Sequence, residues 1–226
     1  MNAFFRLVCC PVLRFNDRMS LVLALDCKVD DFEHWWAVTR ARVPQLASWP
    51  AHHLVVYRSL NDGNRIFLTV GLQGDVPLEP LLASPEVRSF FDASGIGDIP
   101  AIFAGRVVEK LELQQESDQF TGVTAVVVAG IVPIPDFGRF WERVHADIDK
   151  IRAAGVIRYW AYRAIDSAEE VMILQERSDE SRATHWLQEP RAGREWMTRA
   201  GVGVYPPLFV GRLVEVIDIP RSARVE

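Results

Sequence analysis

Gly95-Ile96-Gly97-Asp98-Ile99-Pro100-Ala101-Ile102-Phe103-Ala104-Gly105-Arg106-Val107-Val108-Glu109 comes twice in this chain. Its second copy is Gly201-Val202-Gly203-Val204-Tyr205-Pro206-Pro207-Leu208-Phe209-Val210-Gly211-Arg212-Leu213-Val214-Glu215. Eight of the fifteen positions are identical, and several others exchange one apolar residue for another. Gly201 stands 106 residues after Gly95 in a chain of 226. A repeat at that offset means two copies of one unit, each of ordinary domain size.

Working outward, each half has the same order of elements. In the first, Leu21–Leu25 is a continuous apolar strand. A helix follows, with Phe32, Trp36, Thr39, Val43 and Leu46 on one stripe and Pro44 set to kink or shorten its last turn. His53–Leu60 and Ile66–Leu72 form a hairpin around Asn61-Asp62-Gly63-Asn64. A second helix spans 85–94, and Ile102–Leu113 is the fourth strand. The second half repeats this with a strand at 123–132 and one helix carrying Phe137, Trp141, Val144, Ile148 and Ile151. This stripe is the first one displaced by 105 residues. A hairpin over 157–165 and 171–176, a helical region from 184 that resumes over 191–200, and a last strand at 208–219 complete it.

Each half is therefore β-α-β-β-α-β, the ferredoxin-like plan. The fold class is α+β, with two such repeats packed sheet to sheet. The expected boundaries are an N-terminal extension at 1–18, repeat 1 at 19–113, a polar linker at 114–120, repeat 2 at 121–219 and a tail at 220–226. Sheet edges left over in such a pair would leave room for a further homodimer.

Composition excludes several classes. Apolar residues make up 49% and charged residues 24%, with a net charge of −5, the balance of a soluble globular chain. No basic tract points to nucleic acid, and no apolar run is long enough for a membrane helix. Cys9, Cys10 and Cys27 are too few and badly spaced for a disulfide framework or a zinc site, which suits a reducing cytoplasm. Residues 1–15 are apolar but broken by Arg6 and Arg14 and lack a cleavage site, so they do not read as a signal peptide.

Two β-α-β-β-α-β units, the Phe32…Trp36 and Phe137…Trp141 helices, the Ser84-Pro85 and Glu189-Pro190 openings of the second helices and the Phe-x-Gly-Arg-x-x-Glu strands together resemble the dimeric α/β-barrel superfamily. Within it the chain looks like a tandem antibiotic-biosynthesis monooxygenase. That resemblance implies an oxygenase acting on an aromatic, polyketide-like phenol or quinone by hydroxylation or ring-opening oxidation. It implies no cofactor or reduced flavin, with haem bound through one His as a lesser alternative. A cyclase or isomerase on the same fold, and a non-catalytic haem or small-ligand carrier, are the other readings it implies.

The aromatic and titratable residues give the candidate site. Trp36 and Trp141 lie on the inward stripes, as pocket walls or as core. Tyr57 and Tyr162 are matched across the halves, as are Arg58 and Arg163; alternation puts each Tyr and its Arg on opposite faces, one of them towards the helices. Arg106 with Glu109 and Arg212 with Glu215 read as structural ion pairs. The second half gains His145 for Arg40, Tyr159 for Leu54, Trp160 for Val55 and Trp196 for Phe91, and adds His185 and Trp186. His145, four residues after Trp141, is the expected base for a phenol, and Tyr162 the expected hydrogen-bonding partner. Trp36, Tyr57, Trp141, Trp160, His185, Trp186 and Trp196 are the expected substrate contacts. No spacing for a protein-built metal site is present.

Overall fold

The computed structural model describes residues 21–46, 50–74, 76–96, 100–113, 126–181, 183–184, 190–202 and 207–219, with the side chains of 190–193 excepted. The first half contributes β1 (Leu21–Lys28), α1 (Phe32–Leu46), β2 (Ala51–Ser59), β3 (Arg65–Leu72), α2 (Leu78–Leu82), α3 (Pro85–Ala93) and β4 (Ile102–Glu112). The second contributes β5 (Val126–Pro133), α4 (Phe137–Ala146), α5 (Ile148–Ala153), β6 (Val156–Ala164), β7 (Glu170–Arg177), α6 (Pro190–Arg199) and β8 (Phe209–Asp218).

Local chemistry explains the elements. The Asp31 side chain accepts the His34 amide at 2.7 Å in the first turn of α1. Ser84 accepts the Val87 amide, with Pro85 at the first helical position. Asp136 does the same for Arg139 at 2.9 Å. Pro44 lies inside α1, which continues to Leu46. The single helix expected in the second half is broken at Asp147 into α4 and α5. Its carboxylate is nearly buried and takes Lys150 Nζ and Arg143 Nε at 2.7 Å and Trp196 Nε1 at 3.0 Å. The Lys150 hydrogen bond first, and that of Trp196 after it, hold this carboxyl below its ordinary range against the opposing effect of burial. A residue held by two hydrogen-bond donors and an Arg143 ion pair at the helix break is a tertiary anchor, which stripe spacing does not reveal.

All eight strands close into one antiparallel barrel, in the order β1-β3-β2-β8-β5-β7-β6-β4. Each half supplies a run of four, and two seams join them. At one, β2 pairs with β8; at the other, β4 pairs with β6. The leftover sheet edges expected from the sequence do not exist, because each half's edge strands pair with the other half's.

Alternation then sorts the core into layers. Leu21, Leu23 and Leu25 of β1 face α1 and α3, whereas Val22 and Ala24 face the barrel interior. The interior is filled by Tyr57, Phe67, Phe103, Trp160, Tyr162, Met172 and Phe209. Tyr159, Ala161 and Val171 face α4 on the opposite flank.

At the seams the repeat glycines Gly105 and Gly211 are tightly enclosed. A Cβ on Gly211 would lie 2.6 Å from the Arg58 carbonyl oxygen, and one on Gly105 would lie 2.7 Å from that of Arg163. Both obstacles are backbone of the other half, which cannot give way without opening the seam. Gly211→Ala is therefore expected to lower stability by about 2 kcal/mol. Gly138→Ala in α4, whose Cβ would meet nothing closer than Asp136 Oδ1 at 3.5 Å, is expected to hold or raise stability. Guanidinium unfolding of the two variants checks both; equal midpoints would mean that the seam tolerates separation.

Candidate functional site

Between α1, α2, α3 and the outer face of the first-half sheet lies a cavity of about 390 Å³. Its floor is made by leucines and valines of β1, β2 and β3. Among the described residues, Phe90 and Phe91 of α3 supply its aromatic rings, and Thr39, Arg42, Gln45 and Glu86 its polar side chains. This is the composition of a small-molecule site: apolar, with few convergent polar groups.

Thr39 is 4% exposed, and its hydroxyl has no hydrogen-bond partner among the described residues. A buried hydroxyl without a partner costs free energy. Arg42 donates from Nη1 to Ser89 Oγ at a long 3.3 Å and pairs with no carboxylate among the described residues. The neighbouring Arg40, by contrast, is committed: it pairs with Glu215 across the seam and lies over the Trp36 ring, 4.9 Å from its centroid.

Of the sequence-predicted residues that the structure describes, none lines this cavity. Trp36 is buried in the first helix–sheet core, stacked beside Trp35. Tyr57, Trp160 and Tyr162 fill the barrel interior. Trp141 packs among Phe137, Tyr159 and Phe140 against the second half's sheet, and Trp196 meets Phe140 edge to face. His145 is exposed, its ring edge-on to Trp141 at 5.4 Å. His145 and Tyr162 thus stand on opposite faces of the sheet. His185 and Trp186 lie outside the described residues.

The arginines matched across the halves do face the helices. Arg58 lies 3.9 Å over the Phe32 ring and pairs with Glu33 of its own α1, and Arg163 lies over Phe137. Arg212 does not pair with Glu215: it holds Glu180 at 2.6 Å, while Glu215 holds Arg40.

Titration separates these groups further. Burial, and then the Glu176 charge, pushes the Tyr162 phenol above its ordinary range, so it can donate a hydrogen bond but not act as a base near neutrality. Glu176 is itself nearly buried and raised by burial, although Arg158 donates to it at 2.8 Å. Burial lowers His53 to about 4, with the His52 ring adding to the effect.

Thr39, Arg42 and Glu86 were not singled out from the sequence. The available signal was asymmetry at the 105-residue spacing, where Val144 replaces Thr39 and Asp147 replaces Arg42.

No family model matches the chain, and no curated protein matches it. Solved structures do. An anthrone oxidase-like protein is similar with a TM-score of 0.63 at 12% identity, over 93% of this chain and 98% of that one. A candidate monooxygenase from Fusobacterium nucleatum gives 0.58 at 7% identity, over 88% and 94%. A mutant chlorite dismutase from Candidatus Nitrospira defluvii gives 0.50 at 12%, over 88% and 92%. Identities this low speak for the fold only. No helix among the described residues is long and apolar enough to cross a membrane. With the strand order of the closed ring, the chain has the dimeric α/β-barrel fold, both ferredoxin-like halves being carried on one polypeptide.

Proposed function

We propose that this chain is a monooxygenase-type oxidoreductase that takes a compact aromatic ketone or phenol into the first-half cavity. The observation that supports the reading is the cavity itself: about 390 Å³, apolar, ringed by two phenylalanines and few polar groups. The anthrone oxidase-like and monooxygenase neighbours supply the reaction class by analogy of fold. An anthrone and dioxygen give an anthraquinone and water, so the substrate's own methylene supplies the electrons and no cofactor is needed. Reduced flavin enters the reading as an alternative co-substrate.

Such a reaction needs a proton acceptor, because the enolate donates electrons far more readily than the ketone. Among the described residues of the cavity wall the one carboxylate is Glu86, and there is no histidine. The reading therefore assigns the acceptor role to Glu86, which is exposed like His145 but, unlike it, lines the cavity. Haem does not fit the lining of this cavity, where the described residues offer no His, Cys, Met or Tyr to ligate iron.

The test is oxygen uptake with anthrone, with and without reduced flavin. Glu86→Gln is expected to lower turnover about 100-fold, and His145→Ala to leave it unchanged. Turnover surviving in Glu86→Gln but lost in His145→Ala would return the site to the second half. The mostly apolar wall also favours a second reading, a carrier without turnover; ligand binding with no oxygen uptake in either arm would select it.

A further inference from the structure

We infer that the first-half cavity selects a monoanion: an apolar ring system or chain bearing one carboxylate, held at the rim by Arg42, with Thr39 available to a hydroxyl or carbonyl of the ligand body. The inference rests on the cavity being a ligand site, but not on its being catalytic.

Three observations carry it. The interior is apolar, so the ligand body must be apolar as well. Arg42 lies in the cavity wall, half-buried, and donates to Ser89 Oγ across a long 3.3 Å. A guanidinium presents five donors in a fork shaped for carboxylate, and this one has no carboxylate partner among the described residues. The other arginines packed beside α1 differ: Arg40 and Arg58 are both paired and stacked on aromatic rings. The third observation is the divergence of the halves. At the positions matching Thr39 and Arg42 stand Val144 and Asp147. Val144 cannot hydrogen-bond, and Asp147 is an anion saturated by Lys150, Arg143 and Trp196. The buried polar group and the available cation are thus found together in one half and are both absent at the matching positions of the other.

Glu86 shares the rim. Its charge opposes a second carboxylate on the ligand, which limits the selected class to monoanions, and it places the anion on the α1 side of the opening.

The experiment is calorimetric titration of the full chain with a naphthalene carboxylate and with the corresponding carboxamide, two ligands of the same shape that differ in charge. The acid is expected to bind about tenfold more tightly than the amide, the worth of one charge-assisted hydrogen-bonded pair. Arg42→Met should erase the difference while leaving amide binding in place, and Glu86→Gln should widen it. Arg42→Gln serves as a second variant should the methionine perturb folding, and circular dichroism confirms the fold of each. High salt should shrink the preference for the acid without affecting the amide. Equal affinities in the wild type would overturn the monoanion inference and leave the cavity standing. A preference that persists in both Arg42 variants would overturn the role of Arg42. Failure of both ligands to bind would overturn the cavity as a site, and with it the oxygenase reading placed there.

Discussion

Trp160→Ala is expected to cost about 3–5 kcal/mol of folding stability, the range for deleting a large buried aromatic. Trp160 is 1% exposed and sits in the barrel interior with Tyr57, Phe67, Phe103 and Met172. Its strand β6 pairs with β4 of the other half, where Lys110 is its register partner. The side chain therefore fills space at the junction of two sheets, and a void there cannot be closed by sliding one helix. Urea denaturation gives the number, through a lower midpoint at an unchanged slope. Because Trp160 lies across the sheet from the cavity, the folded variant should bind the naphthalene ligands with wild-type affinity. A loss below about 1 kcal/mol would mean that the interior is not packed as described. A loss of binding with stability intact would restore Trp160 as a ligand contact.

Lowering the pH from neutrality to 4 is expected to remove about 3 kcal/mol of stability through His53 alone. The residue is 4% exposed, with its Nδ1 2.9 Å from Nδ1 of His52. Burial, more than the His52 charge, lowers its pKa from 6.5 to about 4. Between those values the unfolded chain binds a proton that the folded chain refuses. The unfolded state binds more protons there, so stability rises with pH across the window and falls as acid is added. The 2.5-unit difference corresponds to roughly 3 kcal/mol. His53 cannot move away from its neighbours easily: Gly71 on β3 packs directly against its ring. Carboxylates also titrate in this range, so the readout is the difference between the wild type and His53→Leu from pH 7 to pH 4. That difference should change by about 3 kcal/mol in favour of the variant. A flat difference would mean that His53 is protonated in the folded chain at little cost.

The fold was legible because its signals are local and doubled. The Asn61-Asp62-Gly63-Asn64 turn, the 32/36/39 stripe and the Gly-Arg-x-x-Glu strands each have a twin, and each twin folds the same way. Alternation also predicted that Tyr57 and Arg58 would part company across the sheet, and they do. The candidate site was not legible in the same way. A cavity is space that side chains leave empty, and a sequence records side chains. Richness in Trp and Tyr pointed to the second half, but those rings are large enough to be the packing: Trp141, Trp160 and Trp196 are in cores. What marks the cavity is an arginine at 42 and a threonine at 39, ordinary residues for a helix until their surroundings are known. The helix break at Asp147 escaped for the same reason, since its three partners come from separate places, one of them α6.

The two seams have a further consequence. In a barrel built from two identical chains, every substitution is made twice, and a change that suits one pocket is imposed on the other. Here one polypeptide closes the ring alone, so position 39 and position 144 are inherited separately. The first half has a cavity with Arg42 in its wall, while in the second half Trp196 of α6 donates to Asp147 at the helix break. A single chain of this kind lets a substitution in one half be made without the same change in the other.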